Sequence, residues 1–386
     1  MSSSSDHESK YLSSTPIKVV LHENVEDVIL AVGEFHGVVV GTEFASPQHP
    51  NSPPLVAHKV DDTRTIARPS AELLNALKSQ SHQVYYFSRW ASHQVFKVFA
   101  EPQLGDDFKA LLLTSIREKI SGPIIKLAGK PANKTGVIDR PILRRRGSTG
   151  VDIVWPGEAS LGGLEIDHPD VKEQAAESAL ALAHYFRFNQ IRGMKHWRPL
   201  GAHLFNLSLE RTNPSGDELL NGAVVPADAW IELRFENLDA DMLYYRVLSL
   251  DAGLGVRQIY PDDDCARAVE SGKTHAGLKF CERVPGQLDG KGRLRDIIRV
   301  VVYRCASVDD PGLRCLELPE IWDVASGVAP ADDVQGEGEG EGEGEGEGEG
   351  EGEGEGEAGR VLSGNTQDFT WWIRDVEIWI EPVLVS

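Results

Sequence analysis

Apolar and polar positions along this chain follow two different periods, and the change from one to the other divides it. From residue 17 to about residue 60, the short Val/Ile-rich runs IKVVL, VILAVG and GVVVGTEFA are punctuated by Gly and Pro and predict strands. The stretch SPQHPNSPP (46–54) predicts a loop, because proline donates nothing to a ladder and favours turns. SAELLNAL (70–77) predicts a short helix opened by a Ser cap, and QVYYFSRW and VFKVFAE predict two more strands. GDDFKALLLTSIREKI (105–120) has helical spacing, with acids in the first turn where the helix dipole favours them. After a basic, Gly/Pro-rich passage, GVDIVW and LGGLEI predict the last strands of a first unit.

The strongest helical signal is DVKEQAAESALALAHYFRFNQIRGM (170–194). Val171, Ala175, Ala179, Leu182, Phe186 and Ile191 keep close to one face of a 3.6-residue period, and Gly193 predicts the stop. Beyond it the period becomes two. AHLFNLSLER, AWIELRFENL, MLYYRVLSLD, VRQIYP, DIIRVVVYRCA and FTWWIRDVEIWIEPVLV are alternating or wholly apolar runs separated by turn-rich stretches, as in an antiparallel sandwich. In WIELRF, Ile231, Leu233 and Phe235 share one face and Trp230, Glu232 and Arg234 the other, so one face is expected buried and one wet.

The predicted fold is therefore mainly β (α+β). It comprises a disordered leader (1–16), a small β-rich α+β domain (17–168) and a linking helix (169–195). A C-terminal antiparallel β-sandwich (196–328 with 366–386) is interrupted by a low-complexity acidic loop (329–365). Within that loop, 22 residues of strict Gly-Glu alternation (336–357) have no apolar surface to bury and repel themselves, which predicts disorder. A Gly-rich coil of that length spans roughly 25 Å, enough to cross a sheet edge.

Charge and cysteine content narrow the function classes. The net charge is −21, and eleven of the 60 acids lie in the Gly-Glu tract, leaving −10 elsewhere. An acidic balance with one small basic cluster, Arg144 to Arg146, argues against a nucleic-acid partner, and the cluster reads as a solvated loop. The N-terminus has no apolar signal segment, and no run approaches the length of a membrane span, so the expected location is cytoplasmic. The four cysteines, Cys265, Cys281, Cys305 and Cys315, form no C-x-x-C pair and read as reduced and structural. The sequons at Asn133 and Asn206 carry no weight in such a compartment.

Candidate chemistry starts with the His36-Gly37 pair, which stands ahead of an apolar run as the general base of caspase-like cysteine peptidases does. The thiol to go with it would be Cys265, in VRQIYPDDDCARA. Pro261 breaks that strand, no small residue follows the Cys, and three acids beside a thiol would raise its pKa. His36 reads more economically as a turn residue, with Gly33, Gly37 and Gly41 marking bulges or a tightly curled barrel sheet. PDDD (261–264) lacks the further ligands of a Ca²⁺ loop, and LGGLEIDHPD lacks the context of a phosphate loop. No catalytic residue, cofactor or metal is assigned. Trp371, Trp372 and Trp379, with Tyr244, Tyr245 and Trp230, are either inter-sheet core or an aromatic platform for a partner or glycan; the three tryptophans are the candidate binding surface.

Two stretches carry a family resemblance. AVGEFHGVVVGTEFAS, with the later ALALAHYFRFNQIR, and then WIELRFENLDADMLYYRVLSLDAGLGVRQIYPDDD resemble the region downstream of the peptidase domain in caspase-domain (metacaspase-related) proteins of filamentous and mushroom-forming fungi. The similarity runs from about Ile29 to Trp322 and resumes at Phe369. The family's catalytic His-Gly and Asp-x-Cys motifs belong to a preceding domain, so none of its catalytic residues falls on this sequence. The resemblance implies a non-enzymatic accessory or regulatory module, whose partner is a caspase-like peptidase domain or its regulator. The alternatives are a fragment of an active peptidase, a hydrolase with an unrecognised triad, and a carbohydrate- or surface-binding sandwich.

Overall fold

A computed structural model describes residues 17–21, 27–49, 51–78, 84–91, 96–121, 126–128, 140–156, 163–194, 204–212, 218–227, 229–261, 267–282, 284, 288, 292–304, 313, 316–326 and 370–381. The expected leader, the Gly-Glu loop, Asn133, Asp262 to Asp264, Cys265, Cys305 and Cys315 lie outside them. The fold is mainly β, with several antiparallel sheets and few helices.

The first sheet closes on itself. Strands β1 (Ile17–Leu21), β2 (Val28–Leu30), β3 (Glu43–Ala45), β4 (Leu55–Val60), β5 (Thr65–Arg68) and β6 (Val84–Ala91) run in the order β1-β2-β5-β4-β3-β6. β6 pairs back onto β1 through Ile17 and Tyr85. Val28, Leu30, Phe44, Leu55, Ala67 and Phe87 are fully buried here, and closure leaves these short strands without free edges. Helix α1 (Ala71–Lys78) follows β5, and the Ser70 hydroxyl accepts from the Leu73 amide, as the cap reading requires.

GVVVG is not a strand. Gly37 (φ +67°) and Gly41 (φ +93°) both adopt left-handed backbone, which breaks the extended run, and the next strand begins at Glu43. The glycine-rich spacing therefore marks turns at the end of a barrel.

A second, mixed sheet has the order β12-β11-β10-β7-β9. It is built from β7 (Lys97–Ala100), β9 (Lys126–Ala128), β10 (Ile142–Arg146), β11 (Gly150–Val154) and β12 (Gly163–Asp167). Between β7 and β9 runs helix α2 (Asp106–Lys119), followed by the two-residue β8 (Ile120–Ser121), which pairs with β6. The arginine cluster, read as a loop, belongs to β10: Arg146 pairs with Asp152 and Glu165, and Arg144 with Glu101. Acids on neighbouring strands draw the basic run into the ladder.

The long helix α3 (Val171–Arg192) is opened by Asp170, whose carboxylate accepts the Lys172 amide at 2.7 Å. It ends at Gly193 in right-handed backbone, so composition located the stop without a left-handed cap. Thirteen of its side chains are buried, including Ala179, Leu182, His184, Phe186, Arg187 and Ile191. It packs against α2, the mixed sheet and the C-terminal region, a central core helix as much as a connector.

The C-terminal region is two facing sheets. The smaller has the order β13-β15-β19, from β13 (Phe205–Arg211), β15 (Trp230–Asn237) and β19 (Thr274–Cys281). Along β15, Ile231, Leu233 and Phe235 are fully buried while Trp230 stays half-exposed, matching the alternation in sequence. The larger sheet has the order β14-β21-β20-β16-β17, from β14 (Ala223–Pro226), β16 (Leu243–Leu250), β17 (Val256–Tyr260), β20 (Leu294–Arg304) and β21 (Thr370–Glu381), with β18 (Arg267–Val269) also on β16. Phe235 and Tyr245 stack between the sheets at 4.6 Å. The larger sheet is buried on both faces, because its second face meets α3 and the barrel; this is why its strands read as nearly continuous apolar runs. Among the described residues no helix is long and apolar enough to cross a membrane.

Candidate functional site

The His36-Gly37 pair sits where the barrel, α3 and the larger sheet meet. A one-turn 3₁₀ helix (Glu34–His36) is held by the Glu34 and Phe35 amides, which donate to the Asp61 and Asp62 carbonyls across the barrel end. His36 has no solvent exposure, and its Nδ1 accepts the Gly33 amide at 3.0 Å, so the ring closes its own turn. From α3, Arg187 donates to the His36 and Gly37 carbonyls at 3.3 and 3.4 Å and stacks its guanidinium 3.3 Å above the Trp90 ring. A Cβ on residue 37 would stand 3.0 Å from that guanidinium, in a backbone conformation L-residues avoid; glycine fits on both counts.

Phe35 completes the junction from the other side. Its ring stands edge-on to Tyr303 and to Trp371, both at 5.4 Å, so one barrel turn plugs into the aromatic face of the sandwich. Arg299 makes the matching connection between sandwich and helix. Almost fully buried, it grips both oxygens of Asp375 at 2.8 Å and donates to the Ile191 and Arg192 carbonyls at the C-terminal end of α3. Those carbonyls carry the negative end of the helix dipole, where a cation is favoured.

The three candidate tryptophans do not form a platform. Trp371 is 7% exposed on the barrel-facing side of β21, next to Phe35, and Trp372 is 4% exposed, one residue along and therefore on the opposite side. Trp379 alone of the three is half-buried. A sheet covered on both faces consumes adjacent aromatics as core. Tyr245 is likewise fully buried, hydrogen-bonded to His275 Nδ1, and burial pushes its phenol up. Cys281 lies half-buried at the end of β19, its Sγ 3.8 Å from the Glu282 carbonyl.

A group of buried acids is the feature that reading the sequence missed. The turn between β16 and β17, Asp251 to Gly255, folds against residues 316–326, a segment that ends in helix α4 (Ile321–Ser326). The Gly255 amide donates to Asp251 at 2.8 Å and the Ala252 amide to Asp296 of β20, also at 2.8 Å. Glu282, just past β19, lies 3.8 Å from Arg257 and against the buried Ser249 hydroxyl. Glu320 and Asp323 come from the covering segment, and a Cβ on residue 253 would stand within 3.3 Å of Asp251, Glu320 and Trp322 together.

Burial raises the pKa of all four principal acids. Glu282 and Glu320 are each pushed to about 7 by desolvation, and Asp251 and Asp296 also go up, with neighbouring carboxylates adding to the rise and Arg257 opposing it. His184 of α3 reaches the same turn, its Nε2 2.9 Å from the Leu254 carbonyl, and burial lowers it to about 4, so it is neutral. Among the described residues no three His, Cys, Asp or Glu side chains converge to hold a metal ion. What the group can store is protons. Its signal in the sequence is the lone acid inside an apolar run, Asp296 in LRDIIRVVVYR and Asp251 in VLSLDAGLGV.

No family model, curated protein or solved structure matches the chain.

Proposed function

We propose that the chain is a non-enzymatic accessory module that positions a caspase-like peptidase domain or one of its regulators. The observation that carries this reading is the environment of His36. A general base must come within hydrogen-bond reach of the proton it removes, but this ring has no exposed surface and spends Nδ1 on the Gly33 amide. The His-Gly pair serves as a joint between three bodies, which supports a scaffold role. Arg187 and Arg299, buried at both ends of that joint, support it in the same way: their hydrogen bonds go to backbone carbonyls and to partners on other elements.

Two measurements test the reading. Alkylation of the native chain with a small iodoacetamide probe at pH 7, read by peptide mass spectrometry, is expected to label the cysteines no faster than an ordinary exposed thiol. Titration with a purified caspase-like peptidase domain is expected to give a saturable complex and to leave this chain's own peptide hydrolysis at the buffer level. A single cysteine, Cys265 above all, alkylated tenfold faster than glutathione and coupled to peptide hydrolysis would overturn the non-enzymatic part. Absence of any complex would overturn the partner.

A further inference from the structure

Four carboxylates, on Asp251, Glu282, Asp296 and Glu320, gather around Arg257 at one end of the sandwich. They come from separate parts of the chain: the β16–β17 turn, the residue after β19, strand β20 and the covering segment. We infer that residues 316–326 are a pH-released strap, docked on the β16–β17 turn while the acids share protons and freed when those protons leave. One of the four, Glu320, rides on the strap and meets Asp251 across Gly253, so undocking carries its charge into water and relieves the acids that stay behind.

Hydrogen bonds also tie the strap to the turn and to β17. Leu318 exchanges two backbone bonds with Val256 at 2.9 Å, the Ile321 amide donates to the Gly253 carbonyl at 3.0 Å, and Glu317 accepts the Gln258 amide at 3.1 Å. Leu316 and Ile321 are its buried anchors, and Trp322 closes over Gly253. Arg257 and the Ser249 hydroxyl, which is 1% exposed, both favour the charged form of Glu282, but burial outweighs them. Loss of the Glu282 proton leaves a carboxylate in an apolar end of the core.

The remaining charged neighbours do not cancel the acids. From α3, Arg192 lines the small cavity beside Asp251 together with Arg295 of β20, but Arg295 is engaged by Glu377 of β21. His184 is neutral at pH 6.5 and above in the docked structure, where burial lowers its pKa to about 4. The sign follows. Acids whose pKa is raised by docking favour the docked state fully below their ordinary range near 4.5, and that contribution is lost as pH rises through about 7. Release leaves the Val256 amide and carbonyl on the edge of β17 unpaired, a strand edge the strap otherwise covers.

Hydrogen exchange of the full chain, corrected for intrinsic rates and read by NMR or mass spectrometry, tests this. Between pH 6.5 and 8.5 the protection of the Leu318 and Ile321 amides is expected to fall about tenfold, as two groups titrating near 7 require, while amides of β20 and α3 hold. Glu320→Gln is expected to raise protection at pH 8.5 and flatten the profile; Asp251→Asn, on the turn that faces it, is a second variant with the same direction. Protection constant within twofold over that range overturns the inference. So does loss in β20 with the same midpoint, or a wild-type slope in both variants.

Discussion

Replacing Phe35 by Ala removes a side chain that is 1% exposed and touches both the barrel turn and the larger sheet. Truncating a buried Phe costs about 3–5 kcal/mol, from lost transfer energy plus the cavity left behind. Collapse of the cavity is resisted here because its walls belong to different bodies: the His36 ring at 5.2 Å on one side, Tyr303 and Trp371 at 5.4 Å on the other. A value near 4 kcal/mol is therefore expected. The edge-to-face contacts account for roughly 0.5–1.5 kcal/mol per pair beyond area, so Phe35→Ala combined with Trp371→Ala should be less damaging than the sum of the two by about 1 kcal/mol. Urea denaturation of the wild type, both single variants and the double variant, followed by far-UV circular dichroism, measures both quantities. A Phe35→Ala cost below 1.5 kcal/mol, or additivity within about 0.3 kcal/mol, would refute the claim that this turn joins barrel to sandwich.

Two further variants probe the same joint. Arg299→Met is expected to cost about 2–3 kcal/mol, since it removes the charged hydrogen bonds to Asp375 and to two helix-end carbonyls. Asp375→Asn, at a site 40% exposed, should cost no more than about 1 kcal/mol; equal denaturation midpoints for the two would refute the capping role of Arg299. His184 stays neutral in the folded chain and takes a proton in the unfolded one. Its contribution is full above pH 6.5 and lost as pH falls toward 4, about 2.5 kcal/mol between pH 7 and 4.5. His184→Gln should remove that part of the acid slope in urea titrations, and an unchanged slope would sink the assignment.

Local elements were legible because local rules produce them. Asp170 and Ser70 cap the helices they precede, the face of α3 follows its spacing, and WIELRF alternates as a half-buried strand must. The two-faced burial of β16 and β20 also shows in the sequence, as apolar runs without alternation, although those runs do not say what covers the second face. GVVVG misled because Val composition favours strand while two glycines with positive φ decide otherwise. The arginine cluster misled because its acidic partners, Asp152 and Glu165 on other strands and Glu101 just past β7, come from other parts of the chain.

By itself, the sequence determined the class of fold, the long helix and the alternation of the C-terminal strands, since periodicity and capping act over a few residues. Tertiary structure alone decided that the first sheet closes, that adjacent tryptophans point into different cores, and that His36 and Phe35 lock a barrel turn onto a helix and a sandwich. It also decided that acids far apart along the chain share one buried space around Arg257. The physical reason is that closure, two-sided burial and shared desolvation are properties of contacts between distant segments, and a one-dimensional pattern records only which residues are available for them.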